Sequence, residues 1–219
     1  MGAQYDAGFY EVIRQGAQAS AAVVAPLVAE LVRPARVIDV GCGEGWWAQA
    51  FAELGAEVIG LDGSYVSSSP LGARFIPHDL TKPVPAHLLG RFDLAVSLEV
   101  AEHLPPSRAR SFVRDLVGLA PVVLFSAAIP GQGGTGHVNE QWPGYWSALF
   151  EAEGYRVTGA LRWQIWTDDR VENWYRQNLL LAVAPRPIGT VQLDDLLDSP
   201  LAPPWPVVHP VLYDARRSR

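Results

Sequence analysis

Residues 36–47 read RVIDVGCGEGWW: an apolar run from Arg36 to Val40, a turn with glycine at 41, 43 and 45, then two tryptophans that open a stretch of helical spacing up to Leu54. Strand, glycine turn and helix in that order make the first half of a βαβ unit. Glycine is needed in such a turn because the backbone must approach a ligand closely, beside the free amides at the start of the next helix. The spacing departs from the dinucleotide fingerprint G-x-G-x-x-G, since the third glycine comes one residue early.

Working outward, Glu57 to Asp62 is a second strand and Arg74 to Ile76, ending at His78-Asp79, a third. Phe92 to Glu99 is a fourth, followed by a helix from about Ser107 to Leu119 and a fifth strand from Pro121 to Ala127. Before the first strand, Phe9 to Val32 has helical spacing interrupted by Gly16 and Pro26, which predicts two helices or one broken helix. After Pro130 come a glycine-rich loop, a helix near Trp142 to Glu153, and strands at Tyr155 to Leu161 and about Trp174 to Ala184, separated by a polar segment with Asp168 and Asp169. The alternation predicts an α/β fold, a Rossmann-like, doubly wound, seven-stranded and mostly parallel sheet with an antiparallel C-terminal edge strand. A single domain over 1–184, including a helical segment at 5–33, is expected. Seven of the 18 prolines fall in 185–219, read as an extended tail packed on that domain.

The 219 residues suffice for one such domain and are too few for two. With 17 basic and 23 acidic side chains the formal charge is −6, which argues against a long nucleic acid or an anionic membrane as partner. The lone Cys42 excludes a disulfide framework and a cysteine zinc cluster, and fits a reducing, cytoplasmic setting. No signal peptide is readable in MGAQYDAGFY, and the run from Ala21 to Ala29 is broken by Pro26 and short of the roughly 20 residues a membrane span requires. A monomer or homodimer acting on a small molecule is the expectation.

Three acids sharpen the glycine turn, each at the carboxyl end of a strand, where open α/β sheets bind ligands. Asp39 lies on the first strand, Asp62 ends the second at a place suited to a ribose diol, and Asp79 follows the third. With VIDVGCGEG, VIGLDG, HDL and FDLAVSLEVAEHL, the pattern resembles the class I S-adenosylmethionine-dependent methyltransferases over about Val37 to Val183. The resemblance implies that Gly41 and Gly43 face the methionine part of S-adenosylmethionine and that Asp62, with Gly63 beside it, takes the ribose. It also implies that Asp79 and Leu80 take the adenine, and that Asp39 shapes the loop and orients the ammonium group. Cys42 reads as a packing residue; of Trp46 and Trp47, one is expected in the core and one on the pocket wall.

Glu99, Glu102 and His103 follow the fourth strand, and in a helix positions i, i+3 and i+4 share one face. Adjacent carboxylates repel unless a cation lies between them. His137 sits on the glycine loop that could carry it to the same face, with Glu140 three residues on. The run resembles ubiquinone-pathway O-methyltransferases, which carry E-V-x-E-H. It also resembles small-RNA 3′-terminal 2′-O-methyltransferases, whose E-x-x-E-H and later histidine bind magnesium; no RNA-binding module is evident here. That likeness implies a Mg2+ or other divalent cation on Glu99, Glu102, His103 and His137, with His103, His137 and Glu140 as catalytic candidates. In the plainer alternative Glu99 contacts the cofactor's methionine end, His103 caps a helix and His137 is a loop residue.

A bound metal would favour O-methylation of a sugar, nucleoside or catechol-like diol, because a ligated oxygen loses its proton more readily. The alternatives are a metal-free N- or C-methyltransferase with His137 or Glu140 as base, a nicotinamide-dependent oxidoreductase, and a non-catalytic cofactor-binding subunit. Trp142, Trp146, Trp163, Trp166 and Trp174 suggest an aromatic acceptor wall with at least two of them in the pocket. The stretch SAAIPGQGGTGHVNEQW, 126–142, resembles a run in small single-domain family members of unassigned substrate. His78, His87 and His209 read as structural or solvated.

Overall fold

The structure is a computed structural model that describes residues 7–66, 69–85, 89–185 and 191–217. Seven strands, β1 (Arg36–Val40), β2 (Glu57–Asp62), β3 (Phe75–Pro77), β4 (Leu94–Leu98), β5 (Val122–Ser126), β6 (Arg156–Thr158) and β7 (Leu180–Val183), form one sheet in the order β3-β2-β1-β4-β5-β7-β6. β7 runs antiparallel to both its neighbours, and the other pairs are parallel. The expected mostly parallel sheet is therefore present, with its antiparallel pairings confined to the β5-β7-β6 end and made by β7, one place in from the rim. Every residue of β4, β5 and β7 is buried, the near-continuous apolar run required of strands covered on both faces.

Alternate strand residues feed two cores. On one side Val37, Leu94, Val96, Leu124 and Leu181 meet α1 (Ala7–Val32) and α2 (Trp46–Glu53), through Val24, Ala25, Val28 and Phe51. On the other, Ile38, Ala95, Val123 and Phe125 meet α3 (Ala109–Leu119) and α4 (Pro143–Ala152). α3 buries Ala109, Phe112, Val113, Leu116 and Leu119, the spacing of an amphipathic helix. Phe125 packs against Trp146 and Phe150 at ring separations of 5.2 and 5.3 Å. Deleting such a buried aromatic side chain costs about 3–5 kcal/mol.

Several elements differ from expectation, each for a local reason. α1 is one continuous 26-residue helix despite Pro26, so the apolar stretch is longer than its broken run suggested. Gln15–Val32 is apolar and long enough by composition to cross a bilayer, yet Ala21, Val24, Ala25 and Val28 are fully buried in the first core. Only 156–158 of the strand expected at 155–161 is extended; α5 (Leu161–Ile165) follows. The segment from Trp174 begins as helix α6 (Asn173–Asn178), and only Leu180–Val183 enters the sheet. The tail carries α7 (Val191–Asp198) and α8 (Pro210–Arg217) rather than extended chain alone. Leu193, Leu196 and Leu197 of α7 complete the first core. His87 lies outside the described residues.

The chain passes from β1 outward to β2 and β3, then returns to place β4 on the other side of β1. The crevice at such a reversal, beyond the carboxyl ends of the strands, is where this architecture binds ligands.

Candidate active site

At the end of β1 the backbone turns sharply into α2. The amides of Gly41 and Cys42 both donate to the Leu61 carbonyl, at 2.7 and 3.0 Å, pinning the turn to β2. Gly41 has φ +83°, and a Cβ there would lie 2.4 Å from Val100 Cγ2, so no other residue fits without moving the chain after β4. Asp62 then organises the loop from below. Its Oδ2 accepts from the Gly43 amide and its Oδ1 from the Gly63 amide, both at 2.6 Å, while the Tyr65 hydroxyl also donates to Oδ1. Tyr65 was not singled out by sequence; its ring lies over Gly63 and is 78% exposed.

Asp39 is buried beneath the turn, with Oδ2 lacking any hydrogen-bond partner. Burial first, and then the neighbouring Asp62 carboxylate, push its carboxyl up to about 8. Cys42 is a buried packing residue whose thiol burial pushes well up, which fits its expected inert role. Trp47 is the core member of its pair, donating to the Tyr175 hydroxyl at 3.3 Å, and Trp46 bonds Glu44 at the loop.

β3 ends at Pro77, so Asp79 stands two residues beyond it, exposed, accepting from Thr81 and paired with Lys82; the Thr81 bonds hold its carboxyl below the ordinary range. Leu80 is buried beside it. The loop is clamped by Arg108, which donates to the Leu80 and Lys82 carbonyls and pairs with Asp115. His78 sits beside this loop, its amide bonded to the Asp62 carbonyl.

After β4 the chain does not become the helix that would align Glu99, Glu102 and His103. Glu99 adopts φ +54°, a left-handed conformation that costs about 1–3 kcal/mol, and only Ala101–His103 forms a single 3-10 turn. The reversal brings Glu99 against two side-chain amides: its Oε2 accepts from Gln132 at 2.8 Å and its Oε1 from Asn178 at 3.0 Å. Glu99 is thus not among the three residues whose donor atoms cluster, although its carboxyl group is a neighbour of Glu102.

That group is Glu102, His103 and His137, whose donor atoms lie within 4.8 Å of one another. His137 reaches it because the Glu102 carbonyl accepts from the amides of Val138 and Asn139, at 2.8 and 3.0 Å. Its ring presses on Gly134, where a Cβ would be 2.3 Å from Nε2, and meets the His103 ring edge-on at 4.8 Å. Glu140 fixes it from behind, through Oε1 to His137 Nδ1 at 2.9 Å, while taking the amides of Gly131 and Gly133. Burial alone would raise Glu140, but His137 and the two amides hold it below the ordinary range.

Glu102 is fully buried and neither carboxyl oxygen has a hydrogen-bond partner. Burial, then the charge of nearby Glu99, push it well above the ordinary carboxylate range. Burial, then His137, hold the His103 imidazole below its usual value. Two imidazoles and a buried acid without a partner form a donor set able to hold a divalent cation.

Of the five tryptophans of the expected aromatic wall, Trp146 is core and Trp163, Trp166 and Trp174 are half-buried; Trp163 packs on Trp166, which packs in turn on the buried His209 of the tail. Trp142, 41% exposed, remains open beside the loop.

A family model described as a methyltransferase domain matches residues 12–117. The ubiquinone biosynthesis O-methyltransferase of Paraburkholderia phymatum is 35% identical over 104 residues, 42% of this chain and 43% of that protein. Its counterpart in Rhodopseudomonas palustris is 27% identical over 179 residues, 78% of this chain and 64% of the other. The chain thus spans less than two thirds of the length of these curated relatives. Among solved structures, magnesium protoporphyrin IX methyltransferase from Synechocystis with bound SAH shares the fold at a TM-score of 0.56 and 22% identity, over 84% of this chain and 90% of that one. With the glycine turn, the strand-end acids and the sheet order, these likenesses identify the chain as a member of the class I S-adenosylmethionine-dependent methyltransferase superfamily, carrying its methyltransferase domain.

Proposed function

We propose that this protein transfers the methyl group of S-adenosylmethionine to a hydroxyl of a small molecule, with a divalent cation held by Glu102, His103 and His137. The observation that carries the metal reading is the Glu102 carboxyl group, fully buried, without a hydrogen bond on either oxygen, and grouped with two imidazoles. An ionised acid in that position needs a positive partner.

When bound, S-adenosylmethionine supplies a methyl on a sulfonium, and a cation supplies a lowered pKa to a ligated hydroxyl. Around the cofactor, Gly43, Gly63 and Asp62 frame the ribose position, Asp79 and Leu80 the adenine position, and Gly41, Asp39 and Glu99 the methionine position. Glu99 carries one hydrogen bond on each oxygen and keeps lone pairs for an ammonium. Glu140 orients His137, as a second carboxylate behind a ligating histidine does. Two imidazoles and one carboxylate suit a first-row ion such as Mn2+, Fe2+ or Zn2+ better than Mg2+. The acceptor enters beside the 131–142 loop. Oxygen as the methylated atom draws support from the relatives named for O-methylation.

A second reading rests on the His137–Glu140 pair: with Nδ1 held by Glu140, His137 takes the acceptor's proton at Nε2 without a metal. Labelled methyl donor and a crude metabolite extract, assayed before and after exhaustive EDTA treatment, separate the two. Activity lost on chelation and restored by Mn2+ or Zn2+ is the expected result; undiminished activity sinks the metal reading. Absence of any labelled product in a folded, cofactor-binding protein would count against small-molecule transfer itself.

A further inference from the structure

The two amides that hold Glu99 are themselves held, and the chain of bonds leads out to the C-terminal tail. Gln132 Oε1 accepts from Asn178 Nδ2 at 2.8 Å and from Gln177 Nε2 at 3.2 Å, and Asn178 Oδ1 accepts from Gln177 Nε2 at 3.0 Å. Gln177 Oε1 accepts from the backbone amide of His209 at 2.8 Å. Gln177, Asn178 and Gln132 are all buried. Every bond has one possible direction. Gln132 Nε2 and Asn178 Nδ2 donate to Glu99, so the oxygens of both amides face the Gln177 NH2, and the Gln177 oxygen needs a donor. The tail supplies that donor.

The tail is seated so as to keep it there. The buried Arg162 guanidinium joins the Gln177 carbonyl to the Trp205 carbonyl, 3.0 Å to each. The Val211 amide donates to His209 Nδ1, which puts the ring proton on Nε2, and Nε2 donates to the Trp166 carbonyl at 2.9 Å. At the far end, Arg216 of α8 rests on Gly133, where a Cβ would lie 1.8 Å from its Nη2. The tail thus touches both the network behind Glu99 and the loop that carries His137.

We propose that residues 199–217 are a working part of the cofactor site, with Gln177 as the positioning residue through which the seated tail fixes the Glu99 carboxylate toward the amino-acid end of the cofactor. The proposal rests on the reading of Glu99 as facing the methionine position. When the His209 amide is withdrawn, Gln177 is left with a buried, unpaired oxygen. It turns to recover a partner, and Gln132 and Asn178 lose their alignment on Glu99.

The test compares two probes by calorimetry: S-adenosylhomocysteine, and 5′-methylthioadenosine, which keeps the adenosine and lacks the ammonium and carboxylate. Gln177→Met removes the relay at similar volume, and His209→Pro removes only the tail's donor and ring while leaving Gln177 in place. In variants with native far-UV circular dichroism, affinity for S-adenosylhomocysteine should fall about tenfold while that for methylthioadenosine changes less than about twofold. Unchanged S-adenosylhomocysteine affinity in either folded variant overturns the proposal, and so does an equal loss for both probes, which marks a merely structural role. If the unaltered protein binds neither probe, the reading of the cofactor site fails first and takes the proposal with it.

Discussion

Each end of the site holds a buried acid, and the two are finished differently. At the β1–β2 end, Asp62 accepts two loop amides and the Tyr65 hydroxyl, so three of about four acceptor sites on its carboxylate are filled by the protein alone. At the β4–β5 end, Glu102 is more deeply buried and accepts no hydrogen bond at either oxygen. A ligand must compete for most of the first carboxylate, whereas the second is stable only with a proton or a cation. The first end comes from one contiguous βαβ unit; the second joins the turn after β4 to a loop beyond β5. Local hydrogen bonds close a site that is local in sequence, and a site assembled across the sheet is left with an acid that something external must complete.

The largest effect is expected where the better-bonded acid is removed. Asp62→Ala frees two loop amides and deletes the acid proposed to take the ribose, so S-adenosylhomocysteine affinity should fall about 100-fold or more, since each hydrogen bond to a charged group contributes about 1.5–3 kcal/mol; a loss under fivefold by calorimetry would break the contrast. Next comes the unfinished end. Thermal unfolding of the unaltered protein should shift upward with Mn2+ or Zn2+ by the amount mass action allows, and Glu102→Gln should weaken metal binding by about tenfold or more and abolish the shift. A variant that responds to metal like the parent would remove Glu102 from the ligand set.

Smaller still is the pH dependence of the loop. Asp39 is raised to about 8 in the fold from 3.8 in the open chain, so across that window the folded state holds a proton that the unfolded state releases. Stability from this group is therefore present in full below pH 3.8 and is lost as pH rises through about 8. Urea unfolding at steps between pH 5 and pH 8 should fall by at most about 1.4 kcal/mol per pH unit from this source, and Asp39→Asn should flatten the slope. A slope that survives the substitution locates the effect elsewhere. The smallest change expected is a gain: Tyr65→Phe removes the hydroxyl that competes with a ribose for Asp62, raising S-adenosylhomocysteine affinity about threefold, within the range of one neutral hydrogen bond. Weaker binding in this variant would instead make Tyr65 a contact of the ligand.

The contrast also explains what could be read from sequence. Arg36 to Asp62 folds as its glycine spacing and apolar runs indicate, because the bonds that pin its turn, from Gly41 and Cys42 to Leu61 and from Gly43 to Asp62, all fall within one βαβ unit. Glu102, His103 and His137 were identifiable as types, but their meeting depends on two amides donating to one carbonyl, a contact no periodicity encodes. The helical spacing expected of Glu99, Glu102 and His103 is absent because Glu99 adopts a left-handed backbone. Asn178 and Gln177 were hidden inside an expected strand. The signal available was three consecutive polar residues, Arg176-Gln177-Asn178, at the head of the apolar run of β7, all of them buried. Arg162 and Arg108 carried no such mark; each is a buried cation spent on main-chain carbonyls.

The position of β7 bears on how the chain is born. The last strand in sequence is not at the rim of the sheet; it lies between β5 and β6, bonded to both. Until residue 183 has left the ribosome, β5 presents an open row of amides and carbonyls, and β6 has no neighbour to join. Synthesis of the first 126 residues can complete the glycine turn and Asp62, yet Asn178 and Gln177 arrive only with the strand that seals the sheet. The crevice at the strand ends therefore matures in two stages of translation, and a nascent chain stalled between them would hold the glycine turn and Asp62 while still displaying a bare sheet edge.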